Sequence, residues 1–67
     1  MSDYLQINIL TKDAEKVRHF FAPHIDHIEF MQFDERGFKT ILKIRFSFMC
    51  CELTKREVNE VLDQYKF

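Results

Sequence analysis

Three cationic residues share one side of a predicted β-strand in the middle of the chain. If the segment GFKTILKIRFSFMCC, from Gly37 to Cys51, is extended, its side chains alternate between two faces. One face then carries Phe38, Leu42, Ile44, Phe46 and Phe48, and the other carries Lys39, Lys43 and Arg45. The apolar face predicts contact with a core. The cationic face is either a binding surface or only a hydrated one.

Aromatic and apolar residues accompany these cations on the same predicted face. Open sheets bind single-stranded RNA in this way, because bases stack on the rings and cations pair with phosphates. A protein contact is favoured instead, since Met31, Phe33 and Ile41 form an adjacent apolar set with charged residues as its rim. The predicted partner-binding residues are Tyr4, Met31, Phe33, Lys39, Ile41, Lys43 and Arg45, and Met49 is placed on the same face.

The histidines raise the question of a metal site. His24 and His27 lie close together in the sequence HIDH. In an extended strand, residues three apart point to opposite faces, and His19 belongs to a helix that ends before them. Structural zinc prefers four ligands, and Cys50 and Cys51 do not form a CxxC pair. We therefore expect no metal and no cofactor.

Cys51 is the candidate nucleophile, because the dipole of a following helix could lower the pKa of its thiol. A nucleophile also needs an oriented base, and sequence spacing places none of the histidines beside it. The sequence lacks a glycine-rich phosphate loop and a recognisable pair of catalytic carboxylates. We expect Cys50 to be a small core residue and the protein not to be an enzyme.

Size and charge limit the possible functions. A chain of 67 residues forms one domain, 1–67, that buries only about 60% of its unfolded surface, so support from a partner or a second copy is expected. The net charge of −1 provides no overall attraction to nucleic acids or anionic membranes. The sequence shows no signal peptide pattern and no apolar run of the roughly 18 residues that a membrane span needs. Adjacent cysteines fit a reducing compartment, so we expect a soluble cytoplasmic protein.

A strand and a helix are the first elements that must position these residues. Alternating apolar residues predict a strand from Tyr4 to Leu10, which would bury one face. Thr11 can then cap a helix. Pro23 removes a backbone donor and restricts the residue before it, so the helix should end near Phe21.

A hairpin is predicted next. The second strand runs from about Ile25 to Asp34, and the sequence DERG predicts a three-residue loop that Gly37 closes in the left-handed conformation. This register places Phe30 opposite Leu42 on the core side of the sheet. Met31 then lies on the opposite face, together with the cations.

The last predicted element is a helix that continues to the end of the sequence. Thr54 and Glu57 can form a capping box at its start, and an apolar stripe follows as far as Tyr65. The order β-α-β-β-α, with a right-handed crossover, predicts an α+β fold. Its three-stranded antiparallel or mixed sheet has the order 1-3-2, with both helices on one face. This order resembles the ferredoxin-like split β-α-β family with its last strand missing. The resemblance covers the whole chain, but it concerns the order of the elements only. It therefore implies no activity.

The first strand is predicted to be an unpaired edge without a protecting Lys or Pro, which favours self-pairing or strand addition by a partner. We therefore predict a small protein–protein interaction module, a regulator or inhibitor that binds a larger protein, forms a homodimer, or does both. Small proteins of this shape are often encoded by phages and other mobile elements. Binding of single-stranded RNA or DNA on the open sheet face is the alternative. The predicted core comprises Leu5, Ile7, Ile9, Val17, Phe20, Phe21, Ile28, Phe30, Leu42, Ile44, Phe46, Val58, Val61 and Leu62.

Overall fold

A computed structural model describes residues 3–67 of the chain. The strands are β1 (Tyr4–Leu10), β2 (Ile28–Arg36) and β3 (Lys39–Phe46), the helices are α1 (Ala14–Phe21) and α2 (Glu52–Leu62), and Thr11–Asp13 and Ala22–His27 form 3₁₀ segments. Both neighbouring pairs of strands are antiparallel, and the sheet order is β1-β3-β2. The predicted α+β class, sheet order and bounds of β1 are confirmed. Within residues 3–67, neither helix combines the length and the apolar character needed to cross a bilayer.

The core lies between one face of the sheet and the two helices. The central strand β3 places every second side chain on this face, and all four of these side chains are buried. The helices pack there through the apolar stripes that their sequences predict. The buried cluster comprises Ile9, Ala14, Val17, Phe21, Leu42, Ile44, Phe46, Cys50, Val58 and Leu62.

The hairpin turn is shorter than predicted. Strand β2 continues to Arg36, which lies opposite Lys39, so that Gly37 and Phe38 alone form the loop. Gly37 has a φ of 69° and is the sole residue of 3–67 with a positive φ. A positive φ at the first loop position and a negative φ at the second are typical of a type II′ turn, whose twist matches that of the flanking strands. The predicted three-residue loop is therefore wrong.

The shorter turn moves the register by three residues. Phe33, rather than Phe30, lies opposite Leu42. Because side chains alternate with a period of two, an odd shift exchanges the two faces of β2. Met31 and Phe33 therefore pack against the core, and the guanidinium of Arg18 in α1 lies 4.1 Å from the centre of the Phe33 ring. The predicted core position of Phe30 is wrong, since its side chain is 44% exposed on the other face.

The segments beside α1 also differ from prediction. Thr11 does not cap the helix, because its hydroxyl donates to the carbonyl of Gly37 at 2.8 Å. Because the Thr11 hydroxyl has a single proton, it accepts in its second hydrogen bond, and the buried Thr40 hydroxyl donates to it at 2.9 Å. After α1, the chain forms a 3₁₀ segment instead of entering a strand at Ile25, since Pro23 suits the first turn of such a segment. The predicted end of α1 at Phe21 is confirmed.

The boundaries of α2 correct two further predictions. The helix begins at Glu52 with Cys51 as its N-cap residue, no side chain caps it, and the predicted capping box is wrong. It ends at Leu62 instead of continuing. Lys66 then forms an antiparallel bridge with Ile9, and the next backbone N–H donates to the Asn8 carbonyl at 3.1 Å. The outer edge of β1 is therefore partly covered by the chain itself.

A buried cation ties α2 to the start of β1. The Lys55 side chain is buried, and its Nζ lies 2.6 Å from Oδ1 of Asp3 and 3.6 Å from Oε1 of Glu52. The hydrogen bond from Lys55 lowers the pKa of Asp3 below its usual value. The same hydrogen bond raises the pKa of Lys55. A charged side chain in such a position is stable only when it is paired.

We expect the Asp3→Asn variant to lose stability at neutral pH because Lys55 loses its ionised partner. Folding lowers the Asp3 pKa, so the contribution of the pair is fully present above the ordinary Asp pKa of about 3.9 and is lost as the pH falls through the lower folded value. Folding raises the Lys55 pKa, so the contribution is present below the ordinary Lys pKa of about 10.4 and is lost as the pH rises through the higher folded value. Urea midpoints measured from about pH 2 to 7 should differ between the two proteins at neutral pH and converge in acid. A difference that stays undiminished at the acid end would contradict this role of Asp3.

Candidate functional site

One face of the sheet points away from both helices, and we call it the open sheet face. Its side chains form cross-strand rows, because residues directly opposite each other in antiparallel strands lie on the same face. The rows are Tyr4, Arg45 and Phe30; Gln6, Lys43 and Gln32; Asn8, Ile41 and Asp34; and Leu10, Lys39 and Arg36.

The predicted partner-binding residues fall on two different faces. The open sheet face carries Tyr4, Lys39, Ile41, Lys43 and Arg45. The remaining two, Met31 and Phe33, lie on the helix side and pack against the core. The adjacent apolar set expected on the open face is therefore not formed, because the register shift turns these two side chains inward.

Positive charge dominates the open sheet face. Its cross-strand rows hold four of the ten cationic residues of the chain and one of the eleven acidic residues. That acid, Asp34, forms an ion pair with Arg36 at 2.9 Å. Gln32 lies opposite Lys43, and the nearest acidic residue of β2 toward its start, Glu29, lies in a β-bulge between Ile28 and Phe30. The central cation of the face thus has an amide, rather than a carboxylate, beside it.

Two aromatic rings flank Arg45 at one end of this face. Tyr4 and Phe30 occupy the outer strands on either side of it, and they are 40% and 44% exposed. The guanidinium carbon of Arg45 lies 5.8 Å from the centre of the Tyr4 ring, within the range of a cation–π contact. The Tyr4 hydroxyl donates to Oε1 of Gln6 at 3.2 Å, which ties the first row to the second.

A tight turn exposes two large apolar residues at the end of β3. The Cys50 N–H donates to the Ser47 carbonyl at 2.9 Å, so Phe48 and Met49 take the central positions of a β-turn. The Ser47 hydroxyl accepts the Met49 N–H at 3.2 Å and stabilises the turn. Phe48 is 87% exposed and Met49 is 79% exposed, and we call this pair the apolar turn. Leu53, in the first turn of α2, is 62% exposed.

The apolar turn corrects the prediction that the β3 strand continues past Phe46. An unbroken strand would have placed Phe48 on the core face and Met49 on the open sheet face. The strand ends at Phe46 instead, because the β-turn closed by the Cys50 N–H and the Ser47 carbonyl directs the chain toward α2. Alternating hydrophobicity did not reveal this end, since apolar residues continue through the turn.

The two cysteines are free thiols in opposite environments. Cys50 is buried in the core, as predicted, and burial raises the pKa of its thiol. Hydrogen bonding to the Thr54 side chain lowers the pKa of the exposed Cys51 thiol, and backbone N–H groups of the first turn of α2 contribute. Its Sγ lies 3.1 Å from the Thr54 hydroxyl, and a neutral hydroxyl does not serve as a general base.

The histidines lie in a different arrangement from the predicted one. His24 and His27 belong to a 3₁₀ segment, in which residues three apart are on the same side. Their ring centres are 6.4 Å apart, and the His24 ring also lies 5.1 Å from that of Phe20. Among residues 3–67, no group of three or more His, Cys, Asp or Glu side chains is arranged to hold a metal ion.

No protein family, no curated protein and no solved structure matches this chain. The resemblance to the ferredoxin-like fold therefore stays a prediction from element order. The open sheet face and the apolar turn are the candidate sites of the described residues.

Proposed function

We propose that this chain is a small non-catalytic interaction module that acts by binding a larger protein or a second copy of itself. The apolar turn carries the proposal. Central turn positions usually hold Gly, Pro, Asn, Asp or Ser, whereas here they hold Phe48 and Met49, which are 87% and 79% exposed. Large apolar side chains gain free energy when a partner removes them from water. Phe and Met are also enriched at the centres of protein interfaces.

The surroundings of the apolar turn support the same function. The Ser47 N–H to His27 carbonyl bond holds the end of the 3₁₀ segment beside this turn, and Ile25 of that segment is exposed, as is Leu53 of α2. Exposed apolar residues therefore recur at the end of the sheet where β3 finishes. A regulator or inhibitor that covers part of a larger protein would use such an end. The free thiols Cys50 and Cys51 fit the cytoplasm as its location.

We expect the Phe48→Ser, Met49→Ser double variant to lose association while it keeps its fold, because both side chains are exposed and make no part of the core. Truncation of a hot-spot residue at the centre of an interface costs about 2 kcal/mol or more of binding free energy. Sedimentation of the purified protein at micromolar concentration separates self-association from binding of another protein, and capture from a native extract detects the latter.

The Phe38→Ser variant is the matched control, since Phe38 is also exposed but belongs to the hairpin at the opposite end of the sheet. It should sediment and capture like the unaltered protein. A strictly monomeric chain that captures no protein would contradict the proposal, and so would a double variant that associates as well as the Phe38→Ser control.

A further inference from the structure

We propose that the open sheet face binds single-stranded nucleic acid. The residues of this site are not those of the apolar turn. A test of nucleic-acid binding is therefore independent of the test of protein binding. The face is polar and cationic once Met31 and Phe33 lie beneath the sheet. It is thus unlike the apolar centre of a protein interface.

Charge complementarity is the first ground for this ligand. Lys39, Lys43 and Arg45 lie along β3, the central strand of the face. The side chains of residues two apart in a strand are about 7 Å apart. That interval is close to the distance between successive phosphates of an extended single strand, so Lys43 and Arg45 can pair with neighbouring phosphates. A second copy that presented its own open sheet face would place like charges against this one, and such face-to-face pairing is therefore unfavourable.

The two rings at one end are the second ground. Tyr4 and Phe30 stand on the outer strands, about 10 Å apart across the sheet, with Arg45 between them. Partly exposed rings on an open sheet stack on bases, and a guanidinium beside a ring adds a cation–π contribution. Bases in a duplex are already stacked on each other, so such rings select single strands. A polyanion without aromatic or apolar groups, such as poly-glutamate, would gain little from the rings.

The amides of the next row complete the site. Gln6 and Gln32 flank Lys43, and amide side chains both donate and accept hydrogen bonds. The Tyr4 hydroxyl donates to Oε1 of Gln6, which couples that amide to the ring above it. A base stacked on the ring would place its edge near these amides. The face therefore offers one group for each part of a nucleotide: cations for phosphate, rings for the base plane and amides for the base edge.

Fluorescence anisotropy with labelled oligouridylate and oligothymidylate of about ten nucleotides tests the proposal. We expect both to bind at low salt and a duplex of equal length to bind more weakly. Lys43→Gln and Arg45→Gln should each reduce the slope of log affinity against log salt by roughly 0.7 to 1. Phe30→Leu, which keeps an apolar side chain, should weaken binding by roughly 5- to 150-fold with the salt slope unchanged.

Lys12→Gln and Lys16→Gln are matched controls, because they remove the same charge from exposed positions outside the sheet. They should leave affinity and slope nearly unchanged, and circular dichroism should show the same fold in every variant. Three results would each overturn the proposal. The first is no oligonucleotide binding even at low salt, and the second is equal effects of Lys12→Gln and Lys43→Gln. The third is displacement of the oligonucleotide by poly-glutamate at equal charge concentration, which would show that the face reads charge alone.

Discussion

We expect the Leu62→Ala variant to unfold at a much lower urea concentration than the unaltered protein. Leu62 lies at the end of α2 and is fully buried against the sheet, so its truncation leaves a cavity that the neighbours fill only partly. The cost is about 2–5 kcal/mol of the free energy of unfolding. A domain this small has a total stability near the lower end of roughly 5–15 kcal/mol. Urea denaturation followed by circular dichroism would show a lower midpoint with an unchanged slope.

Leu53→Ala is the matched control for this variant. It removes the same side chain from the same helix, but at a position that faces water. Its cost should be within about 0.5 kcal/mol of zero. Phe46→Ala, on the buried face of the central strand, should cost about 3–5 kcal/mol. Equal stabilities of the Leu62→Ala and Leu53→Ala variants would contradict the packing of α2 on the sheet.

Elements with a clear periodicity were predictable from the sequence. The alternation in YLQINIL defines β1 from Tyr4 to Leu10, and Pro23 correctly predicts the end of α1 at Phe21. The predicted sheet order, with the third strand between the first two, is the observed one. In these cases the local sequence pattern is compatible with a single structure. It was therefore sufficient to predict the element and its bounds.

The register of the hairpin was not predictable, because two constraints that usually fix it were both ambiguous. Gly37 suits the left-handed position of a three-residue loop and also the first position of a type II′ turn. Strand β2 has apolar residues on both faces, Phe30 on one and Met31 and Phe33 on the other. Hydrophobic alternation therefore did not determine which face of β2 points to the core.

The ambiguous register of the hairpin also affected the prediction of the candidate site. The open sheet face was correctly predicted where β1 and β3 form it, as for Tyr4 and Lys43. Where β2 forms it, Phe30 and Gln32 were missed, and Met31 and Phe33 were wrongly included. The exchange follows from the two-residue turn, and Gly37 suits that turn and a three-residue loop equally well. The composition of the open sheet face could therefore not be predicted until the register of β2 was known.

A pair of substitutions in β2 tests the register directly. We expect Met31→Asp to destabilise the protein by roughly 2–4 kcal/mol, because Met31 is partly buried opposite Ile44 and packs against the core, where a carboxylate loses part of its hydration. Phe30→Asp should cost about 1 kcal/mol or less, since Phe30 is partly exposed beside Arg45, which can pair with the new carboxylate. Urea midpoints of the two variants, measured under the same conditions, give the comparison.

The two registers predict opposite outcomes for this pair. If Phe30 lay opposite Leu42, then Phe30→Asp would place the charge in the core and would unfold the protein, whereas Met31→Asp would be tolerated. Because the introduced residue is the same and the positions are adjacent, differences in strand propensity and net charge cancel between the variants. A larger loss of stability in Phe30→Asp than in Met31→Asp would therefore exclude the observed register. It would also return Met31 and Phe33 to the open sheet face, where an apolar protein contact would be favoured over the proposed binding of nucleic acid.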